Sequence, residues 1–247
     1  MARKHDVSEL LRRITALEKY TIATGTKLDT NIATTPVAAG DATLTVASIT
    51  NAADTDYIAL VGQSGAVDLL RVGGTPSSGS IPLAYKSKIN AAVGSRVVEM
   101  TRTVLGDLDD SGVTVNSSAQ LVDVTASTSL LPIFSFITGG TLGFSANMRE
   151  MSIENWLVAH GIPEAQAAGA GTASDPFGAA ITGLTMGTEA LTIYRCVGLM
   201  ADGVTTMWAD FGNAVVAPNT NTQLGGSQPG SLGLNGRATC FVPRLFS

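Results

Sequence analysis

Charged side chains are scarce in this chain, at 14% of 247 residues, while 45% are hydrophobic and 27 are glycine. Its surface must therefore be polar chiefly through Ser, Thr, Asn and backbone. A free monomer so thinly charged is poorly protected against association. That points to an obligate assembly; an all-β protein with neutral polar faces is the other reading. Cysteine occurs only at Cys196 and Cys240, in separate alternating segments without ligand-like neighbours, which reads as two buried free thiols rather than a disulfide. No apolar run approaches the roughly 18 to 20 residues of a helical membrane span. Met1-Ala2-Arg3-Lys4-His5 leads into a charged amphipathic stretch rather than the apolar core of a secretion signal. The expectation is a protein made in a cytoplasm, soluble or self-assembling.

The few charges are unevenly placed. Residues 1–30 hold six Lys/Arg and four Asp/Glu, residues 31–102 five of each, and residues 103–247 four Arg against eleven Asp/Glu. The last part carries most of the acidity behind the net charge of −5. So acidic a segment cannot grip phosphates through counterion release, which excludes stable nucleic-acid binding there.

Catalytic and metal-binding patterns are also missing. Gly62-Gln63-Ser64-Gly65-Ala66 loosely resembles a nucleophile elbow, but Val67-Asp68-Leu69-Leu70-Arg71-Val72 after it reads as strand, where an elbow requires a helix. A hairpin turn is the better reading. Histidine occurs only at His5 and His160, and His160 with Glu164 lacks a second ligand at metal spacing. Asp107, Asp109 and Asp110 lack the loop pattern and terminal Glu of a calcium site, so the stretch Gly106–Gly112 reads as an acidic turn. Gly139-Gly140-Thr141-Leu142-Gly143 is followed by strand and by no Lys-Ser/Thr, so it is no phosphate loop. No enzymatic function, cofactor or metal is expected.

Three segments remain to be read. In residues 6–20, Val7, Leu10, Ile14 and Leu17 follow an a/d spacing that Leu11 widens, which predicts a short helix. Alone it would be marginal in water, so it must dock. These five residues are the candidates for a subunit interface, ahead of docking within their own domain. Thr21 to Thr35 suits an extended arm. Residues 36–102 read as a small β module, with strands around Thr43–Val46, Tyr57–Val61, Val67–Val72 and Val97–Met100. Its wording Val37-Ala38-Ala39-Gly40-Asp41-Ala42-Thr43-Leu44-Thr45-Val46, then Asp56-Tyr57-Ile58 and Ala91 to Val97, resembles a small β domain found in phage structural proteins.

Residues 103–247 read as the main domain. Strands are predicted at Val113–Val115, Leu121–Thr125, Ile133–Thr138 and Thr141–Arg149, where Leu142, Phe144, Ala146 and Met148 share one face. A helix follows, N-capped by Ser152, with Met151 and Trp156 at staple spacing, and stopped by Gly161 and Pro163. Ile153, Trp156 and Leu157 form its apolar stripe and anchor it to the core. Asp202-Gly203 between Leu191–Val197 and Val204–Phe211 is a hairpin signal, since tight hairpin turns need φ > 0. Ala238–Val242 is the last predicted strand. Residues 161–189 and 217–236, rich in Gly with Ala/Thr or Asn/Gln/Ser, read as long loops that a partner would have to order.

Thr141-Leu142-Gly143-Phe144-Ser145, then Met151-Ser152-Ile153-Glu154-Asn155-Trp156-Leu157, the hairpin Ile193–Gly198 with Thr206–Asp210, and the closing Cys240-Phe241-Val242-Pro243 together resemble the major tail tube proteins of long-tailed bacteriophages. That resemblance implies a mainly β fold: a β-sandwich or barrel with one flanking helix, joined here to a second small β domain and an N-terminal helix and arm. It implies hexameric rings stacked into a hollow virion tail tube, assembled in the host cytoplasm, contacting other tail proteins and passing DNA without binding it specifically. Asp123, Asp107, Asp109 and Asp110 are the candidates to face the lumen. A tail ring or capsid decoration protein, or a glycan-binding surface module, are the alternatives; an aromatic content of 5% argues against the last.

Overall fold

The computed structural model describes residues 11–62, 65–106, 108–124, 134–149, 152–160, 172, 174, 191–200, 203–216 and 231–246. Among these residues the fold is mainly β with one short helix. Its strands are β1 (Leu11–Ile22), β2 (Asp29–Asn31), β3 (Thr43–Thr45), β4 (Tyr57–Val61), β5 (Val67–Arg71), β6 (Ser80–Pro82) and β7 (Arg96–Val104). They continue with β8 (Leu108–Val124), β9 (Phe134–Met148), the helix α1 (Ile153–Ala159), β10 (Thr192–Met200), β11 (Thr206–Gly212), β12 (Val215–Val216), β13 (Leu232–Ala238) and β14 (Cys240–Phe246).

The large sheet runs β14-β11-β10-β1-β7-β4-β5, with β2 also paired to β7, and curls into a nearly closed, barrel-like shape. A smaller sheet runs β12-β13-β9-β8, and β3 pairs with β6. Every strand pairing is antiparallel. Strands from all three sequence segments share the large sheet.

Residues 11–20, expected to be helical, are strand. β1 sits in the middle of the sheet, with Leu17 opposite Cys196 of β10 and Glu18 opposite Val104 of β7. It is buried on both faces: Leu17 enters one core and Tyr20 another. A strand covered on both sides has no reason to alternate, so its apolar residues can mimic a helical stripe. Two ladders outweigh a weak helix preference. The arm that follows also packs down: β2 pairs with β7, and Leu28 and Ile32 are buried on either side of it.

Among the described residues three cores form. In the first, Leu17, Tyr194, Cys196 and Phe211 of the large sheet face Phe144, Met148, Leu232 and Leu234 of the small one, a sandwich that Val158 and Ala159 of α1 close. The second lies within residues 28–97, where Leu44, Ile58, Leu60, Leu70, Ile81 and Val97 meet. The third fills the curl of the large sheet with Tyr20, Ala59, Leu69, Val98, Met100 and Ile193.

The small sheet corrects several boundaries. Four predicted strands are two long ones, β8 of 17 and β9 of 15 residues. The acidic stretch expected to be a turn lies partly in β8, as strand with a register shift between Leu108 and Val113 and a left-handed Gly112 (φ 66°). β13 occupies part of an expected loop. Leu232-Gly233-Leu234 alternates, but Gly236 disguises it: a side-chain carbon there would collide with the Phe144 ring, so glycine is required by packing rather than by a turn.

The expected hairpins are present. β10 and β11 pair around Gly203 (φ 74°), and Val61 lies opposite Val67 across the Gly62–Ala66 connection. α1 has seven residues, and His160 caps its C-terminus. Ser152 is its N-cap, accepting from the Asn155 N–H at 3.1 Å.

Candidate assembly surface

Two of the positions weighed for catalytic or metal chemistry make local structural contacts. His160 Nδ1 lies 2.9 Å from the Trp156 carbonyl, with the two rings stacked at 5.2 Å. Gly62 N–H donates to the Ala66 carbonyl at 2.8 Å, closing the β4–β5 turn; Gln63 and Ser64 lie outside the described residues. Among the described residues no group of three or more His, Cys, Asp or Glu could hold a metal. No helix among them is long and apolar enough to cross a membrane. Both cysteines are free thiols. Burial pushes the Cys196 thiol up to about 12 and raises that of Cys240 too, so neither is an activated nucleophile.

Strong electrostatics are instead concentrated in a buried network that sequence reading missed. Arg195 holds Asp210 through Nε at 2.6 Å and Nη2 at 2.9 Å. Arg244 holds the same carboxylate through Nη1 at 2.8 Å and pairs with Asp68 through Nη2. All four side chains are almost fully buried. Arg195 also lies over the Trp208 ring at 4.2 Å, and Arg244 over Tyr85 at 5.0 Å. Burial pushes the Asp210 carboxyl above its ordinary range, against the pull of the two guanidiniums. Two opposed pairs leave the network neutral, the only economical way to hold four ionic groups out of water. The available signal was charge at positions 68, 195, 210 and 244 inside apolar strands.

The feature that stands out on the surface is β8. Among the described residues it ends the smaller sheet and pairs with β9 alone. From Ser111 to Val122 it carries no charged residue and no proline, and Thr114 to Gln120 are all exposed. Natural edge strands are usually short, charged, bulged or covered; this one has a bulge but keeps a long neutral edge. Beneath it a cleft of about 110 Å³ is lined by Val113 and Val115 of β8 with Cys196, Met207, Ala209 and Phe241 among the facing residues. Val115, Phe241 and Leu245 are among the exposed large apolar side chains. Farther along, β9 outruns β13, whose pairing stops at Leu142 opposite Ala238. The step leaves an open groove lined by Ser118, Thr141, Arg237 and Thr239 among others.

The predicted interface residues are placed differently. Val7 and Leu10 lie outside the described residues, and Leu11 and Ile14 are part of β1. Leu17 is fully buried in the core of its own chain, where the expectation had it facing a neighbouring subunit. Of the helix anchors, Leu157 is buried, Trp156 is half-buried against the first core, and Ile153 opens the helix. Asp107 lies outside the described residues, while Asp109, Asp110 and Asp123 all fall on β8. β8 thus carries three of the four acids proposed for a lumen, two near its start and one near its end, far apart along the strand. No protein-family model matches the chain, and no curated protein matches its sequence.

Proposed function

We infer that the chain is a self-assembling structural subunit of a virion, with the major tail tube protein of a long-tailed phage as the specific assignment. The observation that carries this reading is the β8 edge. Its neutral, exposed length is a template for pairing with another chain, and a protein that keeps such an edge needs it covered. A neighbouring copy is the natural cover, because the thin overall charge also disfavours an isolated monomer. In this reading sheets of successive copies are joined edge to edge into rings of six, and the rings stack. The excess of acid in residues 103–247, including three acids on β8, suits a conduit that must pass a polyanion without holding it. The part played by the protein is architectural, with no catalytic step.

Electron microscopy of the purified protein tests the assignment. Rings or open-ended tubes are expected as concentration rises. Compact trimeric particles would move the assignment to a decoration protein, and dispersed monomers at the highest attainable concentration would overturn self-assembly altogether.

A further inference from the structure

The large sheet comes close to closing on itself, and the place where it stops short is unusually built. Its terminal strands, β5 and β14, form no backbone ladder; β5 instead meets the β11–β14 hairpin, with Val67 against Gly212 and Cys240. Side chains stand in for one. Val67 N–H donates to Cys240 Sγ at 3.2 Å, and the thiol donates back to the Val67 carbonyl at 3.4 Å. Thr239 Oγ1 donates to the Gly65 carbonyl at 3.3 Å, and Arg195 Nη2 to the Leu69 carbonyl at 3.3 Å. Gly212 admits this approach, since a side-chain carbon there would strike Cys240 Sγ.

The buried ionic network straddles the same line, and its partition is uneven. Arg195, Asp210 and Arg244 belong to β10, β11 and β14 on one side. Asp68 alone belongs to β5, where Lys88 N–H donates to it at 2.7 Å and Ser87 Oγ at 3.2 Å. Parting the two strands therefore leaves no charge without a partner: both guanidiniums keep Asp210, and Asp68 keeps its two donors and gains water. What is given up is the Arg244–Asp68 pair, the Arg195 donations to the Leu69 carbonyl and the Tyr85 hydroxyl, the Arg244–Tyr85 contact, a few neutral hydrogen bonds, the packing of the Tyr85 ring on Trp208 and Phe246, and the β5 share of the third core at Val67 and Leu69. A removal of one partner that stranded a buried charge would be far more costly.

We propose that the β5–β14 line is an opening seam built into the fold, along which the curled sheet parts while the first and second cores stay intact. Opening frees the β5 and β14 edges and fully exposes the Cys240 thiol, which is half-buried in the closed sheet; closing is directed by Asp68 docking on Arg244. The device belongs to the isolated chain and holds whether or not the protein forms tubes.

The two cysteines supply the test. Cys196 is buried in the first core beside the cleft under β8 and Cys240 is half-buried in the seam, so one reports opening of the first core and the other the seam. Thiol alkylation with iodoacetamide, read by mass spectrometry on the full-length wild-type protein kept below its assembly concentration, should label Cys240 well before Cys196. Its rate should lie well below that of the denatured chain, and Val67 amide exchange should track it. Asp68→Asn, which keeps the shape and weakens the cross-seam pair, should raise Cys240 labelling by about tenfold or more while Cys196 stays protected. Equal rates for the two wild-type thiols would show that only global unfolding opens the sheet and would overturn the proposal. So would a wild-type Cys240 that already reacts like a denatured thiol, or an Asp68→Asn protein in which Cys240 alone is unaffected. The wild-type comparison stands even if Asp68→Asn does not fold.

Discussion

Residues 28–102 and the β8–β9 hairpin handle their strand edges in opposite ways. In the first region the outlying strands are short: β2 has three residues, and so have β3 and β6. Charges guard them. Arg96 grips Asp29 with two bonds of 2.9 and 2.7 Å at the β2–β7 margin, and Lys27 reaches Glu99 at 2.8 Å. The hairpin instead extends strands of 17 and 15 residues, with a neutral outer edge and an apolar cleft at its base. The first region's outlying strands are short and charged, whereas among the described residues β8 has β9 as its one strand partner and keeps Thr114 to Gln120 exposed. Edge protection that is dense in the first region is sparse along Ser111–Val122 of β8, and under the proposed assembly that contrast puts the contact there.

Substitutions can break this contrast from either side. The greatest loss of stability is expected where the hairpin roots in the core. Phe144 is almost fully buried and stacks on Phe211 at 4.6 Å, so Phe144→Ala should cost about 3 to 5 kcal/mol in denaturant unfolding. A loss below 1 kcal/mol, roughly the scale of an ordinary substitution, would mean that the two sheets are not packed as a sandwich. Ser152→Ala removes the helix cap beside the same core and should cost about 1 kcal/mol, seen as a lowered unfolding midpoint. No change there would detach α1 from the stability of the sandwich.

At the guarded margin the effect should be smaller. The Arg96 guanidinium holds the Asp29 carboxyl below its ordinary range, but both groups are well exposed. Asp29→Asn should therefore change stability by no more than about 0.5 kcal/mol. Because the folded-state value is depressed, that small contribution is present above the ordinary carboxylate range and disappears as pH falls through the lowered value; a contribution growing in acid would contradict the pairing. Least of all should Val115→Lys alter unfolding, since Val115 is 45% exposed on the hairpin. Yet it places a charge in the neutral edge, and sedimentation should show association strongly reduced. Unaltered assembly in that variant would take β8 out of the contact.

Much of the architecture could be read from residues alone. The Leu142/Phe144/Ala146/Met148 alternation, the Ser152 cap and the glycine of the β10–β11 turn are local signals, because pleat, cap and left-handed turn each depend on a few neighbouring residues. The predominance of strand, the hairpins at Gly62–Ala66 and Gly203, and the free state of both cysteines followed from such signals. The tertiary structure decided what depends on distant partners. β1 is a strand because β7 and β10 enclose it, although its own spacing favours a helix. Gly236 serves a strand because Phe144 presses on it from β9. Asp68, Arg195, Asp210 and Arg244, spread over 177 positions of chain, become one neutral buried network only when the sheet curls. Local backbone preference is written residue by residue, whereas burial on both faces and the pairing of remote charges exist only after the chain has closed around them.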